Sequence, residues 1–133
     1  PGHEAVAVWI PPGKTELSAD AEADVEPLLS RLLHGHQQGA LDLLAEFDRA
    51  HPTDRPHYYL SLLGTHPDHR GRGIGMALLA LTLELIDKEH AAAYLESSNP
   101  ANNARYESVG FRQIGAFAAS GGPSVATMWR EPR

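Results

Sequence analysis

One segment, HPDHRGRGIG from His66 to Gly75, combines glycine and arginine in a pattern suited to binding phosphate. Its three glycines stand at alternate positions, where the missing Cβ lets the backbone turn tightly and approach a ligand closely. If the segment opens a helix, unpaired N–H groups and the positive end of the helix dipole favour an anion. Arg70 and Arg72 add charge-assisted donors. The pattern predicts a pyrophosphate cradle rather than a solvated glycine-rich turn.

The elements around this segment are those that such a cradle needs. Tyr58–Thr65 (YYLSLLGT) is apolar on both alternating faces, as a central strand is. Ile74–Glu89 has helical apolar periodicity, and Ala92–Ser98 is predicted to be the next strand. The order strand, helix, strand predicts a βαβ unit with its two strands parallel.

The remaining elements follow from apolar patterning and caps. Ala5–Ile10 is predicted to be a strand, Ala19–His36 a helix, and the period of Leu41 to Ala50 a second helix. Pro27 either breaks the first of these helices or starts a turn. A further helix of about ten residues is predicted, with Asn99 as its N-cap, Pro100 as its first residue and Gly110 at its C-terminal end. Phe111–Ala118 and Ser124–Trp129 are predicted to pair around a Ser120–Pro123 turn.

Composition excludes several classes of function. The chain has no cysteine, so disulfides and thiolate catalysis are excluded, and a reducing cytoplasmic location is compatible. Its net charge of −6 disfavours nucleic acid and anionic membranes as partners and favours a cationic amine. Neither His34 with His36 nor His66 with His69 has zinc-ligand spacing, so no metal site is predicted.

The segment matches neither of two common phosphate-binding motifs in full. A Walker loop needs Gly-Lys-Ser/Thr, which is absent. A dinucleotide-binding βαβ domain for NAD would use Glu96, about 20 residues beyond the glycines, as its ribose-binding acid. Met76 stands where that fingerprint needs its third glycine. NAD binding is therefore kept as an alternative, ranked second behind the one given at the end of this section.

Two segments of the chain, the glycine segment and the stretch from Asn99 to Phe111, together resemble motifs of the GNAT superfamily of N-acetyltransferases. Arg70-x-x-Gly73-x-Gly75 after a strand is similar to the family's acetyl-CoA pyrophosphate motif. Asn99, followed seven residues later by Tyr106-Glu-x-x-Gly-Phe, is similar to its second motif. The segments AVAVW, LESSNP and MWR further resemble puromycin-N-acetyltransferase-like enzymes of actinobacteria.

The resemblance implies an α+β fold with a central mixed sheet flanked by helices. We expect residues 1–133 to form a single GNAT domain that is truncated at its N-terminus. Relative to a complete family domain, the first strand, the first two helices and the second strand are expected to be missing. Those elements usually wall the amine pocket.

The resemblance also assigns residues to acetyl-CoA. The strand before the glycine segment is expected to splay from its parallel neighbour, with the pantetheine arm in the gap. The implied coenzyme-binding residues are Leu63, Gly64, Thr65, Arg70, Gly71, Arg72, Gly73, Ile74, Gly75, Asn99 and Asn102. For Asn99 a helix cap is an equal alternative, and many relatives carry alanine where Asn102 stands.

Two residues are the implied catalysts. Tyr106 matches the tyrosine that protonates the leaving thiolate, and the alternative is a core aromatic. The strand before the glycine segment lacks the family's usual glutamate, so Glu96 on the facing strand is the candidate base. The alternative for Glu96 is a strand-end carboxylate paired with an arginine. The base would then be water or a residue of the N-terminal elements expected to be missing.

The resemblance implies transfer of acetyl from acetyl-CoA to a primary amine of a small molecule, in a ternary complex without an acetyl-enzyme. A non-catalytic module that senses acetyl-CoA is the first alternative, because the front elements and the usual base are not found. An incomplete sheet edge favours a homodimer.

Overall fold

Five strands form one mixed sheet in a computed structural model that describes residues 3–118 and 122–133. The strands are β1 (Ala5–Ile10), β2 (His57–Thr65), β3 (Ala92–Ser97), β4 (Arg112–Phe117) and β5 (Val125–Arg130). Their order across the sheet is β1-β2-β3-β5-β4, with β2 and β3 parallel and the other neighbours antiparallel. The predicted α+β class, mixed sheet and βαβ unit are confirmed.

Three helices lie between β1 and β2, where two were predicted. They are α1 (Ala19–Ala23), α2 (Val25–Leu33) and α3 (Gln37–Ala50). The helix predicted over Ala19–His36 is divided at Asp24, between α1 and α2, and not at Pro27, where a break was the alternative. Pro27 then falls in the first turn of α2, where its missing N–H has no helical partner to lose. His34 and His36 flank the turn between α2 and α3.

The later elements match the predicted ones to within a few residues. Helix α4 spans Ile74–Lys88, and α5 (Asn103–Ser108) follows a 3-10 turn at Pro100–Asn102. Gly110 has φ +100°, and the N–H of Phe111 donates to the carbonyl of Tyr106 at 3.2 Å, which closes α5 as predicted. Of the predicted Ser120–Pro123 turn, Ser120 and Gly121 lie outside the described residues.

The two faces of the sheet are covered by different helices. On one face, α4 buries Leu79, Leu83 and Ile86 against Leu60 and Leu95. Successive strand residues alternate between faces, so Tyr94 of β3 lies on the other face with Trp129. There the hydroxyl of Tyr94 donates to the carbonyl of Ala50, at the end of α3, at 3.3 Å. The sheet therefore separates an α4/α5 side from an α3 side.

Among the described residues, no helix has both the length and the apolarity needed to cross a bilayer. The longest of them, α4, has 15 residues.

Candidate active site

The parallel strands β2 and β3 part before either of them ends. Their pairing runs over four positions, from His57 opposite Ala92 to Leu60 opposite Leu95. Strand β2 continues to Thr65 and stays paired with β1 over that length. The edge of β2 that faces β3 therefore has no strand partner beyond Leu60, and its backbone groups there are available to a ligand. This is the splay that the family resemblance predicts.

The parting leaves a cleft of about 220 Å³ between the two strands. Its walls come from β2, the end of β3, the turn after β3 and helix α5. The lining includes Leu60, Ser61, Leu62, Leu63, Leu95, Glu96, Ser97, Ser98, Asn99, Asn102 and Tyr106. Five predicted site residues therefore meet here, namely Leu63, Asn99, Asn102, Glu96 and Tyr106.

The glycine segment turns from the end of β2 into α4. Gly71 and Gly73 both have φ +76°, a left-handed conformation that disfavours residues with a side chain. Gly73 is the N-cap of α4 and no side chain caps the helix, so the first N–H groups of α4 are left to a ligand or solvent. The geometry is that of an anion cradle, although these residues do not line the cleft itself.

Gly75 is required for a different reason, which is close packing. A Cβ added at Gly75 would lie 2.6 Å from Oγ1 of Thr65. The first turn of α4 therefore sits almost in contact with the last residue of β2. This packing holds the cradle against the end of β2.

The two arginines of the segment are partly used to shape the loop. Nε of Arg70 donates to the carbonyl of Thr65 at 3.3 Å. Nη1 of Arg72 lies 3.0 Å from Nδ1 of His69. Both side chains stay solvent-exposed, so their remaining N–H groups can face an anion.

Tyr106 borders the cleft from the α4/α5 side of the sheet. It is half-buried, packs on the same core as α4, and lies edge-on to Phe111 with ring centroids 6.3 Å apart. No hydrogen bond from its hydroxyl to another described residue is formed. Burial raises the pKa of the Tyr106 phenol, opposed in part by Arg105, so the hydroxyl keeps its proton at neutral pH.

The two asparagines have local partners as well as a place on the cleft. Oδ1 of Asn99 accepts from the N–H of Ala101 at 3.1 Å, which is the predicted cap. Oδ1 of Asn102 accepts from Arg105 at 3.0 Å. The amide nitrogen of each side chain is not used in these bonds.

Glu96 borders the cleft from the opposite side of the sheet, because it shares the face of Tyr94. Its side chain is only 3% exposed, and its Oε1 has no hydrogen-bond partner among the described residues. Nδ1 of His51 lies 3.8 Å from that oxygen. A buried carboxylate oxygen without a donor is costly, so this position favours a ligand that can donate.

Behind Glu96, two histidines form a chain whose tautomers follow from their partners. Nδ1 of His57 lies 2.7 Å from the carbonyl of Arg55 and must carry the hydrogen. Burial lowers the pKa of His57, so the ring is neutral and its Nε2 accepts from Nε2 of His51 at 3.1 Å. Nδ1 of His51, facing Glu96, is then the atom free to take a proton.

A second and larger cavity, of about 1060 Å³, lies on the α3 side of the sheet. Ser61 and Glu96 line both this cavity and the cleft. His51, His57 and Tyr59 also line it. The two spaces therefore border the same two residues.

Sequence reasoning missed His51, His57 and Ser61. A signal for two of them was present, because His57, Tyr59 and Ser61 alternate along β2 and so share one face. His51 gave no such signal, since its approach depends on how α3 packs. Among the described residues, no group of three or more His, Asp or Glu side chains is arranged so that it could hold a metal ion.

Solved structures of acetyltransferases share this fold. A structure from Corynebacterium glutamicum, named as histone acetyltransferase HPA2 and related acetyltransferase, matches with TM-score 0.67 and 25% identity, over 98% of this chain and 58% of that one. The ribosomal-protein-S18-alanine N-acetyltransferase of Escherichia coli matches with TM-score 0.50 and 26% identity, over 56% and 54%. The NatC complex bound to Gag peptide and CoA shares the fold at 15% identity, with TM-score 0.54 over 96% and 99%.

The chain thus spans a little more than half the length of the first two of these proteins. Residues 32–113, more than half of the chain, match the family described as acetyltransferase (GNAT) domain. That match includes β2, the glycine segment, α4, β3 and α5. The chain belongs to the GNAT acetyltransferase family.

Proposed function

We propose that this protein transfers the acetyl group of acetyl-CoA to a primary amine of a small molecule, by direct attack within a ternary complex. Members of its family take acetyl-CoA as the donor. The observation that carries the proposal is the position of Tyr106 and Glu96 on opposite sides of one cleft between parted parallel strands.

The chain's own residues suit each part of the donor. The unpaired edge of β2 at Leu63, Gly64 and Thr65 offers backbone groups to the pantetheine arm. The open N-terminus of α4, with Arg70 and Arg72, suits the pyrophosphate. A donor bound along the edge of β2 and the N-terminus of α4 would place its thioester in the cleft, between Glu96 and Tyr106.

The reaction removes two protons from the acceptor ammonium and supplies one to the departing sulfur. A primary amine has a pKa near that of lysine, about 10, so it arrives as an ammonium ion and must lose a proton before it attacks. Glu96 accepts that proton, and Nδ1 of His51 at 3.8 Å can share it. The amine nitrogen then bonds to the thioester carbon, the C–S bond breaks, and Tyr106 protonates the departing sulfur. The nitrogen gives up its second proton to the Tyr106 phenolate, which restores the phenol and leaves a neutral amide.

The buried Glu96 favours catalysis over the alternative of a non-catalytic acetyl-CoA sensor. A sensor needs donors for the coenzyme but has no use for a carboxylate oxygen that is buried beside the cleft without a hydrogen-bond partner. The NAD alternative is disfavoured by the sheet, because β3 pairs antiparallel with β5 instead of continuing a parallel sheet.

Three finer features remain predictions. Resemblance to puromycin-N-acetyltransferase-like enzymes supports an actinobacterial subgroup and a small-molecule acceptor. Use of acetyl-CoA supports a cytoplasmic location. The open edges of β1 and β4 support a homodimer.

The test is a steady-state assay of thiol release from acetyl-CoA with a panel of primary amines, using Tyr106→Phe, Glu96→Gln and Tyr58→Phe. We expect Tyr106→Phe and Glu96→Gln each to lower kcat by about 100-fold, the usual size of a general acid or base contribution. Tyr58→Phe is the matched control, because the Tyr58 hydroxyl donates to Glu89 at 2.7 Å, outside both cavities.

Calorimetry with acetyl-CoA, and with NAD as the comparison ligand, accompanies the assay. We expect both active-site variants to bind acetyl-CoA as the unmodified protein does. Binding without turnover for every amine would support the sensor alternative. Full activity in Tyr106→Phe would refute its role as the acid.

A further inference from the structure

The large cavity on the α3 side is the route by which an acceptor could reach Glu96. Its volume of about 1060 Å³ lies at the upper end of pockets that hold drug-sized ligands, so it suits an acceptor larger than a simple alkylamine. Besides β2 and β3, its walls come from residues 10–17 and from α1, α2 and α3.

The wall of this cavity is strongly acidic. Of the described residues that line it, six carry carboxylates: Glu16, Glu22, Glu26, Asp48, Asp54 and Glu96. Two carry permanent positive charge, Lys14 and Arg55. Arg55 is already neutralised by Glu131 at 2.6 Å and lies over the Trp129 ring at 4.5 Å. The cavity therefore presents a negative potential to its contents.

Three of these carboxylates act electrostatically on Tyr59, which lines the same cavity. The pKa of the Tyr59 phenol is raised first by burial, then by the charge of Glu96 and a hydrogen bond to its carboxylate, and then by the charges of Glu16 and Asp48. Glu16 also accepts a hydrogen bond from the hydroxyl of Ser61, which lines both the cavity and the cleft. Glu16 is thereby held beside the junction of the two spaces.

Glu96 gives an independent indication that a donor belongs here. Its side chain is 3% exposed, yet Oε1 has no hydrogen-bond partner among the described residues. An ammonium group carries three N–H donors and a positive charge, and so satisfies this oxygen.

We propose that the acceptor carries at least two ammonium groups, with the reacting one at Glu96 and another held by Glu16 and Asp48. This inference rests on the proposed acetyl transfer and names its substrate class. Linear polyamines and amino sugars both have this chemistry, and the test separates them.

The test compares putrescine with butylamine, which share a four-carbon chain and differ by one ammonium group. Spermidine and kanamycin represent the linear and amino-sugar sources. Each amine is assayed for kcat/KM at saturating acetyl-CoA and for binding by calorimetry in the presence of CoA. The variants are Glu16→Gln with Asp48→Asn, and Glu84→Gln as an exposed control on α4, outside the cavity.

We expect at least one polycation to exceed butylamine by tenfold or more in kcat/KM and affinity, which corresponds to about 1.4 kcal/mol. The double variant should remove this preference and should change kcat/KM for butylamine by no more than about twofold. Glu84→Gln should keep the preference for the polycation. The preference should also fall as salt rises, because screening weakens exposed charge pairs.

The outcomes separate the two proposals. Equal values for butylamine and all polycations, or no binding of any polycation, would overturn this inference. Polycation binding that the double variant loses, without acetylation of any amine, would support the inference and refute the proposed acetyl transfer. Preference for kanamycin over spermidine would identify the amino-sugar class, and the reverse the linear one.

Discussion

The contact between Gly75 and Thr65 allows a prediction in which one substitution changes sign with its background. An alanine at Gly75 would place its Cβ 2.6 Å from Oγ1 of Thr65, whereas ordinary contacts begin near 3.4 Å. The first turn of α4 must therefore move by roughly 0.8 Å, or Thr65 must leave its rotamer. The next atom of Thr65, its Cβ, is at 4.0 Å, which is an ordinary contact.

The magnitude follows from two opposed effects. Overpacking costs about 1–3 kcal/mol, and alanine gains up to about 1 kcal/mol over glycine in a helix. Gly75→Ala should thus lower the free energy of unfolding by about 1 kcal/mol in the natural background. In a Thr65→Ala background the clash is gone, and Gly75→Ala should be neutral or stabilising by up to about 1 kcal/mol.

The assay is urea denaturation of the four proteins of this double-mutant cycle. We expect a coupling free energy of about 1–2 kcal/mol, in the direction that makes the double variant more stable than the sum of the single changes. Additive effects would refute the reasoning, since they would mean that Thr65 turns away at no cost.

The same four proteins test the coenzyme cradle when acetyl-CoA affinity is measured by calorimetry. If the alanine acts only by displacing α4, Thr65→Ala should restore affinity together with stability. If stability returns and affinity does not, the Cβ itself occupies space that the coenzyme needs.

Two further predictions concern stability. Asp87→Ala should lower the free energy of unfolding, measured by urea denaturation, by about 3 kcal/mol. The Arg130 side chain is 3% exposed and its guanidinium bonds to Asp87 at 2.6 Å, so the change leaves a buried charge without this partner. Arg130 holds the pKa of Asp87 below its ordinary 3.8, so this contribution is present above about pH 4 and is lost as the pH falls through the lowered pKa. The two proteins should therefore converge in stability in acid, and a constant difference down to pH 2 would contradict the assignment. Gly73→Ala should lower the free energy of unfolding in urea by about 1–2 kcal/mol, because φ +76° disfavours a side chain. Gly39→Ala, within α3, is the control and should not destabilise the protein. Equal effects at both positions would count against backbone strain at the cradle.

The features that the sequence predicted correctly all rest on local signals. Gly73 needs a conformation that few other residues adopt, and Asn99 and Gly110 end their helix by bonds to neighbours within a few residues. The continuous apolar periodicity of α4 likewise needs no knowledge of distant partners. Where local signals were mixed, the prediction was less precise: a break was considered at Pro27, and the structure divides the helix at Asp24.

The composition of the candidate site was predictable only in part. Tyr106 and Glu96 were identified by family resemblance, and strand alternation places Glu96 and Tyr94 on one face. The alternative to a base role for Glu96 was pairing with an arginine, and the structure brings His51 within 3.8 Å instead. No spacing rule joins a residue at the end of α3 to one on β3.

By itself, the sequence determined the glycine cradle, the helix behind it and the residue types that can act as acid and base, because each depends on backbone preference or short-range periodicity. Tertiary structure alone decided where β2 leaves β3, and that the cleft and the acidic cavity meet at Ser61 and Glu96. Those outcomes depend on how α3 packs over the sheet, and such packing depends on shape and burial between residues far apart in the chain.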